Sequence, residues 1–276
     1  MAPAVAGSNP VIHPTILDLV SDAVGHALQP STFFQELEQR HLADLRFSDV
    51  TRALRALSSA YVERRETALA DRKALDGAGK RAAFALYYGP IHFLLVQHIV
   101  RELGAAPERG TVVDLGCGTG VAGAAVATSM SAGASAPAVL GFDTHPWALD
   151  EARFTYKAFG IRADVRRGHA ARTRFPADTS FIVAAFVVNE LKDDDRDGLL
   201  REFIRLKPDT TILIVEPISQ RISPWWDEWA RELDARADEW RVRVDVPPIV
   251  KRLSKAAGLR PEVLTARSLF VSSRPA

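Results

Sequence analysis

Residues 111–120 read TVVDLGCGTG, and this stretch decides the fold of the chain. A short run of β-branched and apolar residues, typical of a buried strand, leads directly into three alternating glycines. Residues 121–130, VAGAAVATSM, then have the small apolar pattern of a buried helix. Glycine lets the backbone approach a ligand closely, and the first turn of a helix offers free N–H groups at its positive end. The sequence therefore predicts a strand, a loop that binds a nucleotide-like cofactor, and a helix.

Predicted strands and helices alternate throughout the chain after residue 105. Strands are expected at 111–115, 138–143, 163–168, 180–188, 210–217 and 264–273. Helices are expected at 121–130, 146–160, 193–206, 223–240 and 248–257. This alternation predicts an α/β fold, Rossmann-like and doubly wound, with helices on both faces of a mostly parallel sheet.

Only helical periodicity precedes residue 105. Helices are predicted over 14–28, from Ser31 as an N-cap, over 48–75 and over 80–104. The last one is interrupted at Tyr88-Gly89-Pro90, because proline is tolerated in the first turn of a helix but not in its interior. We therefore divide the chain into a disordered N-terminus (1–13), a helical N-terminal segment (14–104) and a cofactor-binding domain (105–276).

The composition is that of an ordinary globular protein, with 276 residues, 25% charged, 47% hydrophobic and a formal net charge of +1. That charge does not favour a nucleic-acid partner. Cys117 is the only cysteine, so neither a disulfide framework nor a cysteine metal cluster is predicted. Because we see neither a membrane-spanning run nor a secretory signal, we expect a cytoplasmic protein without a membrane span.

Two cofactor classes fit the glycine loop. Gly118 to Gly123 match the dinucleotide pattern G-x-G-x-x-G. In that pattern, however, the first glycine should follow the strand at once, and the sixth residue counted from Gly116 is Val121. An acid, Asp114, also stands at the strand end, and it suits an amine-bearing ligand better than a pyrophosphate. The dinucleotide interpretation is therefore the second choice.

The stretch DLGCGTG resembles the first motif of class I S-adenosylmethionine (SAM) dependent methyltransferases, whose fold has a seven-stranded sheet. The resemblance extends over roughly residues 80–275. It implies that the backbone of Gly116, Cys117, Gly118 and Gly120 lies beside the methionine and ribose parts of SAM. It also implies that Asp114 contacts the amino acid end of SAM, often through water.

Two further residues are expected to bind the cofactor. Asp143 ends the second predicted strand, at the spacing of about 20 residues at which an acid accepts hydrogen bonds from ribose hydroxyls. Its alternative role is to cap the helix 146–160. Members of the resembled family often carry an acid near the adenine after the third strand, and this chain has His169 there. His169 is predicted to contact adenine, with a surface position as the alternative.

The acceptor site is expected beyond the fourth strand, because ligands of open α/β sheets bind at the carboxyl ends of the strands. Asn189 and Glu190 stand there and are the predicted catalytic residues. In the alternative, Asn189 satisfies backbone groups and Glu190 begins the next helix. The sequence VVNEL is not of the N-P-P-Y type, and Glu216 on the fifth strand is a weaker candidate for the same pocket.

Aromatic residues lie on both sides of this region of the sequence. Trp225 and Trp229 share one helix face and either form a wall of an acceptor pocket or pack in the core, with packing favoured. Tyr87 and Tyr88 precede the predicted helix break. Such a break could close over the cofactor.

The predicted function is methyl transfer from SAM to a small-molecule acceptor. The chain is also similar to methyltransferase-like proteins of the small ribosomal subunit in three features: the break at Tyr88-Gly89-Pro90, N-E-L at 189–191 and V-E-P at 215–217. This similarity gives binding to ribosomal RNA or the ribosome as the first alternative. Those proteins carry a cysteine cluster for an iron–sulfur centre, which Cys117 alone cannot form. The second alternative, from the dinucleotide pattern at Gly118 to Gly123, is an NAD-dependent oxidoreductase.

Overall fold

The computed structural model describes residues 29–63, 75–105, 110–129, 137–206, 210–260 and 263–272. Three predictions lie outside these residues. They are the disordered N-terminus at 1–13, the helix at 14–28 and the part of the helix 48–75 that covers residues 64–74.

The described residues contain one seven-stranded sheet with the strand order β3-β2-β1-β4-β5-β7-β6. The strands are β1 Thr111–Leu115, β2 Ala138–Asp143, β3 Ala163–Arg167, β4 Thr179–Ala185, β5 Thr211–Glu216, β6 Arg236–Val242 and β7 Leu264–Val271. Strands β1 to β5 pair in parallel, whereas β7 runs antiparallel to β5 and β6. The predicted doubly wound, mostly parallel sheet is confirmed.

Helices cover both faces of this sheet. In the described part of the chain they are α1 Pro30–Leu42, α2 Phe47–Glu63, α3 Ala78–Ala83, α4 Gly89–Glu102, α5 Val121–Ala127, α6 Pro146–Ala158, α7 Asp193–Leu206, α8 Trp226–Glu232 and α9 Pro248–Ala257. Helices α1 to α6 and α9 share one hydrophobic core, and α7 and α8 share the other. Val112 belongs to the first core and Val113 to the second, because successive side chains of a strand point to opposite faces.

Aromatic rings join the N-terminal helices to the sheet. The ring centroids of Phe33 on α1 and Phe159 after α6 lie 4.8 Å apart. Phe93 on α4 stacks on the same Phe159 ring at 5.2 Å. Since all three rings are buried, the N-terminal helices and the sheet share one continuous core.

One helical run, Ala78–Glu102, is long and apolar enough to cross a membrane by length and composition alone. A run of this kind was not predicted from the sequence. Most of its apolar window, 67%, is buried inside the fold, and Phe93, Val96 and Ile99 have no exposed surface. Packing in the protein core therefore accounts for its apolar character.

Helix α3 passes into α4 through a single π-helical turn, Phe84–Tyr88. The Gly89 N–H donates to the Phe84 carbonyl, five residues back. Pro90 has no N–H, and its ring would crowd a carbonyl in a regular helix, so the wider turn accommodates it. The interruption predicted at residues 88–90 is thus a widening of a continuous helix one turn earlier.

The predicted helix 223–240 is wrong in its second half. Helix α8 ends at Glu232, and Asp234 after it has a positive φ of 49°. Residues 236–242 form β6, an edge strand that pairs with β7. Most of its side chains are exposed or half-buried and many are charged, so it lacks the apolar alternation that predicts a strand.

The predicted N-cap at Ser31 is also wrong. Helix α1 begins at Pro30, and the N-cap residue is Gln29, which makes no side-chain cap hydrogen bond. Proline has the φ of a first helical turn already fixed. The ring of Pro30, rather than the hydroxyl of Ser31, therefore starts this helix.

A buried acid on α6 forms ion-pair and hydrogen-bond contacts with basic residues of α1. Glu151 on α6 accepts a hydrogen bond from Arg40 Nη2 at 3.0 Å, and its other oxygen lies 3.0 Å from His41 Nε2. The Glu151 side chain is 3% exposed, whereas Arg40 is 44% exposed. Burial alone would raise the pKa of Glu151, but the hydrogen bonds and charges of His41 and Arg40 outweigh it and hold this pKa below its ordinary value.

We expect Glu151→Gln to lower the free energy of unfolding by about 1–3 kcal/mol at neutral pH, because it removes the charged partner of two basic side chains. The native pKa of Glu151 is depressed, so the advantage of the wild type is present above the unfolded-state pKa and is lost as pH falls through the native one. Urea denaturation at neutral and acidic pH measures the loss of unfolding free energy and its dependence on pH. Asp150→Asn, an exposed change on the same helix, is the control, and an equal loss in both variants would contradict the prediction.

Candidate functional site

The strand order reverses between β1 and β4, because β2 and β3 lie on one side of β1 and β4 and β5 on the other. Open α/β sheets bind ligands outside the carboxyl ends of their strands at such a switch point. The glycine loop Gly116–Gly120 follows β1 there, and the loop after β4 begins at Phe186. The candidate site therefore lies between these two loops.

The glycine loop adopts backbone conformations that other residues rarely reach. The φ angles are 62° at Gly116, 51° at Gly118 and 78° at Gly120. A side-chain carbon on Gly116 would lie 2.3 Å from Val187 Cγ2. The loop therefore packs directly against the segment after β4, and glycine is the residue that this contact permits.

Asp143, at the end of β2, ties the glycine loop to its neighbouring strand. Its Oδ2 accepts the Gly118 N–H at 2.9 Å, and its Oδ1 accepts the His145 N–H at 2.8 Å. The second bond orders the residue that precedes α6. The alternative in which Asp143 caps this helix is wrong, because the N-cap residue is His145. Carboxylate oxygens have further lone pairs, so this half-buried group retains acceptor capacity for hydroxyl donors of a ligand.

Asp114, within β1, is a carboxylate with 1% exposure. Its Oδ2 accepts the Gly123 N–H at 2.8 Å and the Tyr156 hydroxyl at 2.7 Å, whereas its buried Oδ1 has no hydrogen-bond partner. Burial raises the pKa of Asp114 to about 6, although the bonds from Tyr156 and Gly123 favour the charged form. A buried acceptor without a partner is costly, and an amine or water at the site would satisfy it.

Cys117 lies inside the glycine loop and is buried. Its N–H donates to the Phe142 carbonyl at 2.9 Å, which joins the loop to β2. Burial raises the pKa of its thiol well above the ordinary value, so the side chain acts as a small apolar group. Across the described ranges, no group of three or more His, Cys, Asp and Glu side chains could hold a metal ion.

His169 lies at the same edge of the sheet, just after β3. The preceding residue, Gly168, donates its N–H to the Asp143 carbonyl at 3.0 Å. The His169 Nδ1 is buried without a partner, and Nε2 lies 3.9 Å from Asp195 Oδ2. His169 therefore directly follows the residue whose N–H is bonded to Asp143. Its Nδ1 is available as a hydrogen-bonding group.

A buried polar network lies at the carboxyl ends of β4 and β5. Glu216 Oε1 accepts the N–H groups of Val188 and Asn189 at 2.8 Å and 3.1 Å, and Oε2 accepts Asn189 Nδ2 at 2.9 Å. Trp225 Nε1 donates to Asn189 Oδ1 at 2.9 Å. Burial raises the pKa of Glu216 to about 8, although the bonds from Asn189 and Val188 favour the carboxylate.

This network includes Asn189, one of the two predicted catalytic residues, and ends beside the other, Glu190. Both ends of the Asn189 amide are engaged by side chains, those of Glu216 and Trp225, rather than by the backbone groups of the alternative prediction. Glu190, the next residue, is exposed. Trp225 and Trp229 are 6% and 1% exposed and their ring centroids lie 4.9 Å apart, which confirms that they pack in the core.

Phe186 is a residue of the site that sequence reasoning missed. It has a φ of 59°, which is rare for a residue other than glycine, and it ends the strand predicted over 180–188 at Ala185. The chain then forms a 3₁₀ turn at Val188–Glu190. No local signal marks this turn, because left-handed positions usually show glycine or asparagine.

Tyr156 was missed as well. It lies on α6 and donates its hydroxyl to Asp114, 42 residues earlier in the chain. In the helical pattern of 146–160 it resembles any core aromatic residue. A hydrogen bond between distant segments leaves no trace in local periodicity, so only the fold reveals this partner.

Residues 112–209 match a family model described as a methyltransferase domain. The matched range begins in β1 and includes the glycine loop, Asp143, His169 and Asn189. No curated protein matches the chain.

Solved structures with a similar fold include a SAM-dependent methyltransferase from Aquifex aeolicus, with 17% identity over 66% of this chain and 92% of that one and a TM-score of 0.45. Another is precorrin 8W decarboxylase from Methanobacterium thermoautotrophicum, with 17% identity, coverages of 65% and 89% and a TM-score of 0.45. A third is the tRNA (uracil-54, C5)-methyltransferase of Pyrococcus abyssi in complex with S-adenosyl-L-homocysteine, with 17% identity, coverages of 64% and 38% and a TM-score of 0.43.

We expect Asp114→Asn to stabilise the ligand-free protein relative to the wild type as pH rises. The pKa of Asp114 is raised from 3.8 to about 6, so the wild type is most stable below the lower value and loses stability as pH rises through the higher one. A neutral carboxamide avoids this loss, while its oxygen still accepts from Gly123 and Tyr156. The difference in free energy of unfolding should grow by about 2–3 kcal/mol over this range.

Urea denaturation of both proteins across this pH range measures the difference. The raised pKa of Glu216 affects both proteins alike and cancels. Asp164→Asn, an exposed change on β3, is the control and should give a flat difference. A flat difference for Asp114→Asn as well would contradict the prediction.

Proposed function

We propose that this chain, whose residues 112–209 match a methyltransferase domain model, is a class I SAM-dependent methyltransferase and methylates a small-molecule acceptor. The observation that carries the choice of acceptor is the acidic character of the segment after β4, which continues into the first turns of α7. Residues 189–197 contain five acidic and two basic side chains. A polyanion such as RNA would be repelled there, whereas a neutral or cationic small molecule would not.

The residues at the switch point are chemically suited to SAM. The unpartnered Oδ1 of Asp114 offers a buried acceptor for its amino group, directly or through water. Asp143 retains acceptor capacity for ribose hydroxyls, and Gly116, Gly118 and Gly120 leave three positions of the loop without side chains. We assign His169 to adenine as a hydrogen-bonding group, since its Nδ1 is buried without a partner, and we assign Cys117 a backbone contact and a small apolar surface.

When bound, SAM supplies a methyl group on a positively charged sulfur, and the sulfur–methyl bond breaks as the acceptor–methyl bond forms, which leaves S-adenosylhomocysteine (SAH). The protein's task is mainly to hold the acceptor atom in line with that bond and to exclude water. An acceptor that carries a proton must also release it.

We assign different tasks to the two residues after β4. Asn189 positions the loop, since its amide joins Glu216 to Trp225. Glu190 is exposed at the edge of the proposed acceptor site and is the candidate to accept a proton from the acceptor. Of the two predicted catalytic residues, Glu190 is therefore the one that we propose contacts the acceptor.

We expect isothermal calorimetry to show micromolar binding of SAM and SAH by the wild type, and no binding of NAD. Asp143→Asn should weaken both adenosyl ligands about tenfold, because its amide nitrogen would face the N–H of Gly118 or His145. Asp114→Asn should weaken them too, because the negative charge beside the amino group is lost. Asp164→Asn again serves as the matched exposed control.

The outcomes separate the candidate functions. A folded protein that binds NAD but not SAM supports the NAD-dependent oxidoreductase predicted from the dinucleotide pattern at Gly118 to Gly123. A folded protein that binds none of the three ligands refutes the proposal.

A basic strip favours the alternative function, RNA or ribosome binding. Residues 162–174, along β3 and the loop after it, contain five arginines and one acid. All five are exposed: Arg162, Arg166, Arg167, Arg172 and Arg174. Exposed arginines clustered on one edge are the electrostatic signature of phosphate contacts.

We expect this strip to bind RNA weakly, if the acceptor is a small molecule. Fluorescence anisotropy with a labelled single-stranded RNA, at about 50 and 200 mM salt, measures the affinity and its salt dependence. The double variant Arg166→Glu/Arg167→Glu is compared with Arg205→Glu, an exposed change on α7. Tight RNA binding that is steeply salt-dependent and is lost only in the double variant would establish the RNA alternative.

A further inference from the structure

Four half-buried aromatic rings form a connected group at the switch point, and we call it the aromatic cluster: Phe84, Tyr88, His92 and Phe186. The ring centroids of Phe84 and Tyr88 lie 5.8 Å apart, and those of Tyr88 and His92 lie 5.9 Å apart. His92 stacks on Phe186 at 4.0 Å with an angle of 20° between the planes. The cluster therefore connects the N-terminal helices to the loop after β4.

The cluster lies against the glycine loop at both ends. A side-chain carbon on Gly118 would be 4.0 Å from the Phe84 ring. At the other end, Val187, the neighbour of Phe186, packs against Gly116. Phe84 therefore lies beside Gly118, and Phe186 directly precedes the residue that contacts Gly116.

Two backbone irregularities place these rings. Phe84 and Tyr88 are the first and last residues of the π-helical turn. Phe186 is held at a φ of 59°. π-helical turns and left-handed residues other than glycine are both costly and are found preferentially at functional sites. Two independent irregularities that converge on one ring cluster indicate a binding role for it.

The electrostatic character of the cluster suits a positive charge. The faces of aromatic rings are negative, and enclosures of such rings bind onium cations. Burial lowers the pKa of His92 to about 4, so its ring is neutral at physiological pH and does not repel a cation. The acidic segment 189–197, which includes the start of α7, begins two residues after Val187 and adds to this potential.

We propose that the aromatic cluster encloses the positively charged methylsulfonium group of SAM, so that the site binds the cationic donor in preference to the neutral product. This inference rests on the proposed function, because it requires SAM in the glycine loop. The rings of Phe84 and Phe186 attract the charge, and they lose that attraction once the methyl group has been transferred. The cluster thereby favours release of SAH.

The test compares the Kd of SAM with that of SAH, both measured by isothermal calorimetry on the full chain. Phe84→Leu and Phe186→Leu keep an apolar side chain but remove the ring. Each should weaken SAM about three- to thirtyfold, the range of a cation–aromatic contact, and change SAH less than about twofold. Sinefungin, which carries an ammonium-bearing carbon in place of the methylsulfonium, should follow SAM.

Phe175→Leu is the matched control, because this half-buried ring packs near Phe203 on the opposite face of the sheet. It should leave the ratio of the two Kd values unchanged. Retained SAH binding shows in the same titration that each variant is folded.

Two outcomes overturn the inference: a ratio of the two Kd values that is unchanged in Phe84→Leu and Phe186→Leu, whether or not both ligands bind more weakly, or the same change of ratio in Phe175→Leu. A wild type that binds neither ligand is a separate result, which refutes the proposed function itself.

Discussion

The site depends on the close approach of Gly116 to Val187, where one added carbon would lie 2.3 Å from the valine Cγ2. This contact presses the loop after β1 against the segment after β4, on the two sides of the switch point. Asp143 secures the other side of the loop through the Gly118 N–H at 2.9 Å. The loop is thus fixed from both neighbouring strands, and a binding site held in this way requires little rearrangement when its ligand arrives.

Two buried acids have a parallel role at the carboxyl edge of the sheet. Asp114 and Glu216 are each 1% exposed, and burial raises the pKa of each, to about 6 and about 8. Isolated buried carboxyl groups are unfavourable, so each must be held by donors. Asp114 receives the Gly123 N–H of α5, and Glu216 receives two N–H groups of the loop after β4. Both acids therefore order the segments that flank the site, and groups with perturbed pKa values of this kind concentrate at functional sites.

The strongly periodic parts of the chain could be predicted from sequence, and the irregular parts could not. Strands 111–115 and 138–143 and helices 193–206 and 248–257 agree with the structure residue for residue. The glycine loop was also recognisable, because it combines a strand, glycines and a helix in one short stretch. β6 was missed since an exposed edge strand shows no apolar alternation, and the turn at Phe186 was missed since its residue type argues against it. The hydrogen bond from Tyr156 to Asp114 depends on chain segments that only the fold brings together.

The N-terminal helices share one core with the sheet, although the match to the family model begins only at residue 112. The start of α4 lies on the glycine loop, because a side-chain carbon on Gly89 would be 3.6 Å from Thr119 Oγ1. The same helices contribute Phe33 to the core around Phe159 and supply Glu151 with its basic partners. A chain that began at residue 105 would keep the glycine loop but expose this core and lose three of the four rings of the aromatic cluster. The part of the chain that matches the family model therefore contains the glycine loop, and the helices in front of it complete the wall of the candidate site.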